Sequence, residues 1–202
     1  MAGGPHGRKR RYNFMNDENT KIALVVELNG NLLDKTNYLL SRLEDRFSIK
    51  YIPSRSPSPH ITLNYDFFID DINSFKKSLS QFLSTRNKFN LKTNGFGVFV
   101  AKSPVIYLRW SIDKDLINLK YDLENFLLNL NKRKIIRNYY SDLNWIPKTT
   151  IAYNDSSYDN LQIVLKNIME SDLNGVILLD AISIYSYSEA NGEKKIDKIY
   201  IE

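Results

Sequence analysis

At 202 residues with no cysteine and only two histidines, the chain excludes a disulfide framework, a thiolate metal site and a histidine-rich metal centre. An apolar fraction of 43% and a charged fraction of 25% are those of an ordinary globular protein, and the absence of a run of 18 apolar residues excludes a helical membrane span. The formal charge of +5 is local, because Arg8, Lys9, Arg10 and Arg11 supply +4 of it, so the near-neutral remainder argues against a broad nucleic-acid surface.

Residues 1–14 are expected to form a disordered basic leader, either an upstream extension or an expression remnant, because Met15-Asn16-Asp17-Glu18 opens a plausible start of its own. Arg8–Arg11 also fit an RNA-binding or import tail, though a solvated tail is the simpler reading. No apolar stretch near the start serves as a secretory signal, and a cytoplasmic location is expected. Residues 15–202 are expected to form one domain.

Ile22–Leu28, an apolar run closed by Asn29-Gly30, reads as a buried strand. Leu32, Thr36, Leu39, Leu40, Leu43 and Phe47 recur at helical spacing and predict a helix from about Asn31 to Phe47. A short edge strand is expected over Ile49–Ile52. Pro53, Pro57 and Pro59 then remove donors and fix φ, so Ser54–Pro59 reads as an extended loop. A strand from His60 to about Tyr65 follows, then a helix marked by Ile72, Phe75, Leu79, Phe82 and Leu83 and capped at Asp70 or Asp71. Asn94-Gly95 is expected to introduce a strand over Phe96–Val100. Val105–Trp110 reads as a strand, and Leu116, Leu119, Leu123, Phe126, Leu127 and Leu130 as a helix capped near Asp113. The basic stretch Lys132–Arg137, with Tyr139 and Tyr140, reads first as a solvated loop and second as an RNA contact with base stacking. A strand over Lys148–Tyr153, a helix carrying Leu161, Val164, Leu165 and Ile168, and strands over Val176–Leu179, Ile182–Tyr187 and Ile196–Ile201 complete the chain.

The order strand, helix, strand, helix, strand therefore occurs twice. From Ile22 to His60 is 38 residues, and from Ile106 to Lys148 is 42. At these equivalent points stand Pro59-His60-Ile61-Thr62-Leu63 and Pro147-Lys148-Thr149-Thr150-Ile151. Residues two apart on a strand share a face, so His60 pairs with Thr62 and Lys148 with Thr150. If the two strands adjoin, an imidazole, an ammonium and two hydroxyls converge on a space suited to a phosphodiester. His60 alone also fits a satisfied strand histidine, and Lys148 an exposed strand-end lysine; the repetition of the motif favours a shared site.

These motifs resemble those of the 2H phosphoesterase superfamily, the 2′-5′ RNA ligase and RNA 2′,3′-cyclic phosphodiesterase proteins, whose members carry two His-X-Thr motifs. The likeness spans roughly Lys21 to Ile201 and includes Trp145-Ile146 before the second motif and Ala152-Tyr153 after it. It implies an α+β fold of two duplicated β-α-β-α-β units about a central cleft. It also implies metal-independent phosphodiester hydrolysis without a cofactor, with His60, Thr62, Lys148 and Thr150 as catalytic residues. The implied partner is a nucleotide or RNA end bearing a 2′,3′-cyclic phosphate or a 2′-5′ linkage, met by a monomer away from any membrane.

Lys148 departs from the pattern, since it stands where the family has its second histidine. An imidazole titrates near neutrality without help. A lysine titrates at about 10.4 and becomes a useful acid or base only if its surroundings lower that value. Otherwise it remains a cation that binds phosphate, and turnover is weakened. A degenerate copy that sequesters a nucleotide or RNA is the alternative to an enzyme, and an interaction protein retaining only the fold is a third reading.

Overall fold

The computed structural model describes residues 21–130, 145–188 and 190–202. The leader at 1–14 and the basic stretch 132–140 lie outside the described residues. Strand β1 (Lys21–Glu27) is buried through Ile22–Val26. Helix α1 (Gly30–Phe47) buries Leu32, Thr36, Leu39, Leu40 and Leu43, the expected stripe. A short helix α2 (Tyr51–Arg55) precedes strand β2 (His60–Phe67), which leads to helix α3 (Ile72–Leu83). The Asp71 side chain caps α3 by accepting from the Asn73 N–H. Strands β3 (Phe89–Phe99) and β4 (Val105–Trp110) then lead to helix α4 (Lys114–Leu130), where Asp113 accepts from the Leu116 N–H. Strand β5 (Lys148–Ala152), helix α5 (Leu161–Met169) and strands β6 (Val176–Leu179), β7 (Ala181–Ser188) and β8 (Gly192–Tyr200) follow.

Three local expectations are corrected. The segment expected as an edge strand at Ile49–Ile52, with Ser54 and Arg55 in the following loop, becomes helix α2. The Asp155 carboxylate accepts from the Lys50 and Tyr51 N–H groups at 2.6 Å each, and Pro53 falls in the first turn, where its missing N–H has no helical partner to lose. Asn94-Gly95 is a bulge inside β3 instead of a turn before it: Gly95 has φ +74°, and the pairing with β4 shifts register between Thr93 and Phe96. The last strand starts at Gly192, as Ser188 pairs with it directly across the hairpin.

The fold is α+β, with two antiparallel sheets ordered β2-β1-β7-β8 and β5-β4-β3-β6. The duplication is visible in these orders, because each motif strand lies at an edge beside the first strand of its own unit. Each unit lends one strand to the other sheet, while β6 stays in its own beside β3. β3 joins the second sheet beside β4, and β7 returns to the first sheet beside β1. One continuous core joins both halves through residues such as Leu39, Leu63, Leu79, Trp110, Leu123, Ile151 and Ile184. On β1 the alternation sends Ala23 and Val25 to the other face, where Tyr185 packs on them. Among the described residues, no helix is long and apolar enough to cross a membrane.

Candidate active site

Each motif begins with a proline whose carbonyl anchors the strand in the same way. The Leu28 N–H donates to the Pro59 carbonyl at 2.9 Å, and the Trp110 N–H donates to the Pro147 carbonyl at 3.0 Å. Proline is tolerated there because an edge strand leaves one N–H side without a sheet partner. The register then places His60 opposite Glu27, Thr62 opposite Val25, Lys148 opposite Arg109 and Thr150 opposite Tyr107. The two edge strands meet, and the indole N–H of buried Trp145 crosses between them to the Thr62 carbonyl at 3.1 Å. All four motif residues line one cleft of about 630 Å³.

His60 Nδ1 lies 2.9 Å from the Ser58 carbonyl and 3.3 Å from Ser56 Oγ. A carbonyl only accepts, so Nδ1 carries a hydrogen, and in the neutral ring Nε2 keeps its lone pair. The imidazole packs edge-on against the Tyr185 ring, centroids 5.3 Å apart. The Tyr185 hydroxyl donates to Glu27 Oε1 at 2.6 Å, and Lys195 Nζ donates to Glu27 Oε2 at 2.8 Å. Burial pushes the Glu27 carboxyl up, but hydrogen bonds from Lys195 and Tyr185 and the charges of Lys195 and Lys198 outweigh it, so the carboxyl sits below the usual range. Burial and the Glu27 carboxylate push the Tyr185 phenol far up, which keeps it a donor.

Lys148 is half-buried and donates to Thr150 Oγ1 at 3.2 Å. Burial pushes its ammonium below the ordinary lysine value, partly opposed by the negative charge of Glu193. The condition under which a lysine becomes an acid–base group is thus met in direction.

The remaining cleft wall is largely aromatic. Tyr51 and Tyr153 meet edge to face with centroids 5.5 Å apart, and Tyr65 and Tyr187 are also 5.5 Å apart; all four line the cleft with Phe99. Glu193 and Arg55 line it as well. Sequence reasoning missed Glu27, Arg55, Tyr185 and Glu193. A carboxylate closing the apolar run of β1 was a signal for Glu27, whereas Glu193 is one polar residue among many in its hairpin.

A family model for the 2′-5′ RNA ligase superfamily matches residues 40–191. The chain belongs to that superfamily. Solved structures extend the likeness over nearly the whole fold. The Thermus thermophilus protein TT0787 is 12% identical with a TM-score of 0.59, covering 90% of this chain and 97% of its own. E. coli LigT in its apo form is 14% identical with a TM-score of 0.57, at 90% and 97% coverage. LigT complexed with 3′-AMP is 15% identical with a TM-score of 0.53, at 90% and 98%. At such identities the structures establish the superfamily's architecture here and no more. A sequence search of curated proteins finds no match.

Proposed function

We propose that the chain is a phosphodiesterase that hydrolyses a 2′,3′-cyclic phosphate on a nucleotide or RNA end. The observation that carries this reading is the tautomer of His60: with Nδ1–H donating to Ser58, the Nε2 lone pair remains available in a cleft shared with Lys148, Thr62 and Thr150. Membership of the superfamily supports the reaction class, and the nucleotide complexes of LigT, with 3′-AMP, ATP and NADP+, support a nucleotide as ligand.

In this mechanism Nε2 takes a proton from water as the water oxygen attacks phosphorus. One ring P–O bond breaks, and the ammonium of Lys148 gives a proton to the departing ribose oxygen. The product is a phosphomonoester beside a restored hydroxyl, and solvent returns the proton from His60 to Lys148. The hydroxyls of Thr62 and Thr150 donate to the non-bridging oxygens. The paired tyrosines offer faces on which a nucleobase stacks.

The experiment is turnover of the four nucleoside 2′,3′-cyclic phosphates by Lys148 variants across pH. Arginine keeps the positive charge but does not give up a proton in this range. Lys148→Arg is therefore expected to lose roughly 10²-fold or more in turnover, the usual scale of acid–base catalysis. Lys148→His is expected to keep turnover, with the alkaline limb of its profile moved to lower pH, because the acid must be protonated and an imidazole loses its proton earlier. Near-wild-type turnover by Lys148→Arg would reduce Lys148 to a phosphate anchor.

A further inference from the structure

One carboxylate in the cleft transfers no proton in the hydrolysis proposed above, and its position is firmly built. Glu193 follows Gly192, whose φ of +73° is natural for glycine and strained for other residues. A Cβ at Gly192 would lie 2.5 Å from the Arg55 carbonyl oxygen, so the β7–β8 hairpin packs directly on α2. Arg55 Nη1 fixes the hairpin by donating to the Ala190 carbonyl at 3.0 Å. Glu193 is thereby aimed into the cleft, with Oε1 3.8 Å from His60 Nε2 and the side chain only 17% exposed.

Among the described residues lining the cleft, the charged groups are Arg55, Lys148 and Glu193. With His60 neutral, they leave one net positive charge. A site made only to grip phosphate gains from every cation and loses from a carboxylate. The difference in charge between substrate and product gives Glu193 a use. A phosphodiester carries one negative charge, whereas a phosphomonoester approaches two above its second pKa of about 6.

We propose that Glu193 is a charge filter in the cleft: it lets the singly charged phosphodiester bind and disfavours the doubly charged phosphomonoester that hydrolysis leaves behind. The filter rests on the phosphodiesterase reading and extends it to ligand class and product release. Discrimination arises because the added charge of the monoester meets a repulsive group as well as an attractive one. Neither His60, Lys148 nor the two threonines can make that distinction, since each favours more negative charge or is indifferent to it.

The test uses two ligands that differ by one methyl group: a 2′-O-methylnucleoside 3′-monophosphate and the methyl ester of its phosphate. Both are built on the base that the wild type turns over best and are titrated by calorimetry at pH 8. The wild type is expected to bind the ester more tightly than the monoester. Glu193→Gln should narrow that ratio by about tenfold, mainly through tighter monoester binding, which corresponds to about 1.4 kcal/mol. Glu193→Asp, which keeps the charge, should retain most of the wild-type ratio. The unaltered protein gives a second readout: its nucleoside monophosphate product should inhibit only at concentrations above the KM for the cyclic phosphate. Product inhibition well below that KM overturns the filter. So does an unchanged ratio in a Glu193→Gln protein that still melts cooperatively and turns over the cyclic phosphate, and in that case the phosphodiesterase reading stands. If the wild type turns over none of the four cyclic phosphates, that reading fails and the filter fails with it.

Discussion

Beneath His60 lies a buried arrangement in which the Tyr185 ring supports the imidazole while its hydroxyl serves Glu27. Tyr185→Phe separates these two tasks, because the ring stays and the hydroxyl goes. A hydrogen bond to a charged group is worth about 1.5–3 kcal/mol, so chemical denaturation of the variant should report a loss of that size while turnover changes far less. Acid adds a signed expectation. The folded Glu27 carboxyl lies below its ordinary range, so the stability it contributes is present above that range and is lost as pH falls through the lowered folded value. Without the Tyr185 hydroxyl the folded value moves back up, and acid unfolding should begin at higher pH. An acid midpoint identical to wild type would mean that Lys195 and Lys198 hold the carboxylate unaided.

Helix α2 is too short to persist by propensity alone, and its two leading N–H groups depend on a carboxylate 104 and 105 residues away in sequence. Asp155→Ala removes that acceptor at a cost of about 0.5–2 kcal/mol, the range for helix caps. Because α2 carries Tyr51, Ile52 and Arg55 into the cleft wall, KM for the cyclic phosphate is expected to rise more than kcat falls. A lower melting temperature with an unchanged KM would detach α2 from substrate binding. The same dependence explains why the sequence hides this element: local rules see Pro53 and its neighbours but not Asp155. His60, Thr62, Lys148 and Thr150 were legible as facing one cleft because strand alternation is a local property that repeats in each half. Glu193 was not, since its aim is set by the contact between Gly192 and the Arg55 backbone, made between distant segments. Asn94-Gly95 misled for a related reason, as a positive φ serves a bulge as well as a turn, and only the pairing with β4 decides between them.

At the scale of the molecule, hydrophobic periodicity revealed two units but not that each lends a strand, β3 from the first and β7 from the second, to the other sheet. Periodicity identifies a strand; it does not name the neighbour. The consequence is that the halves are not domains in their own right. A chain cut in the connection at residues 100–103, between β3 and β4, yields a first half in which β1 lacks β7 and β3 lacks its whole sheet. Neither half is expected to show a cooperative melting transition alone, whereas the co-expressed halves should regain one, as read by calorimetry. A sharp transition in either isolated half would contradict the crossover. The same arrangement sets a timetable for synthesis. Lys21 pairs with Tyr187, so β1 leaves the ribosome long before its central neighbour exists, by roughly ten to thirty seconds at about 5–20 residues per second. Throughout that interval the apolar residues Ile22–Val26 have only β2 beside them and an open edge on the other side, the kind of edge that pairs with another copy unless it is shielded.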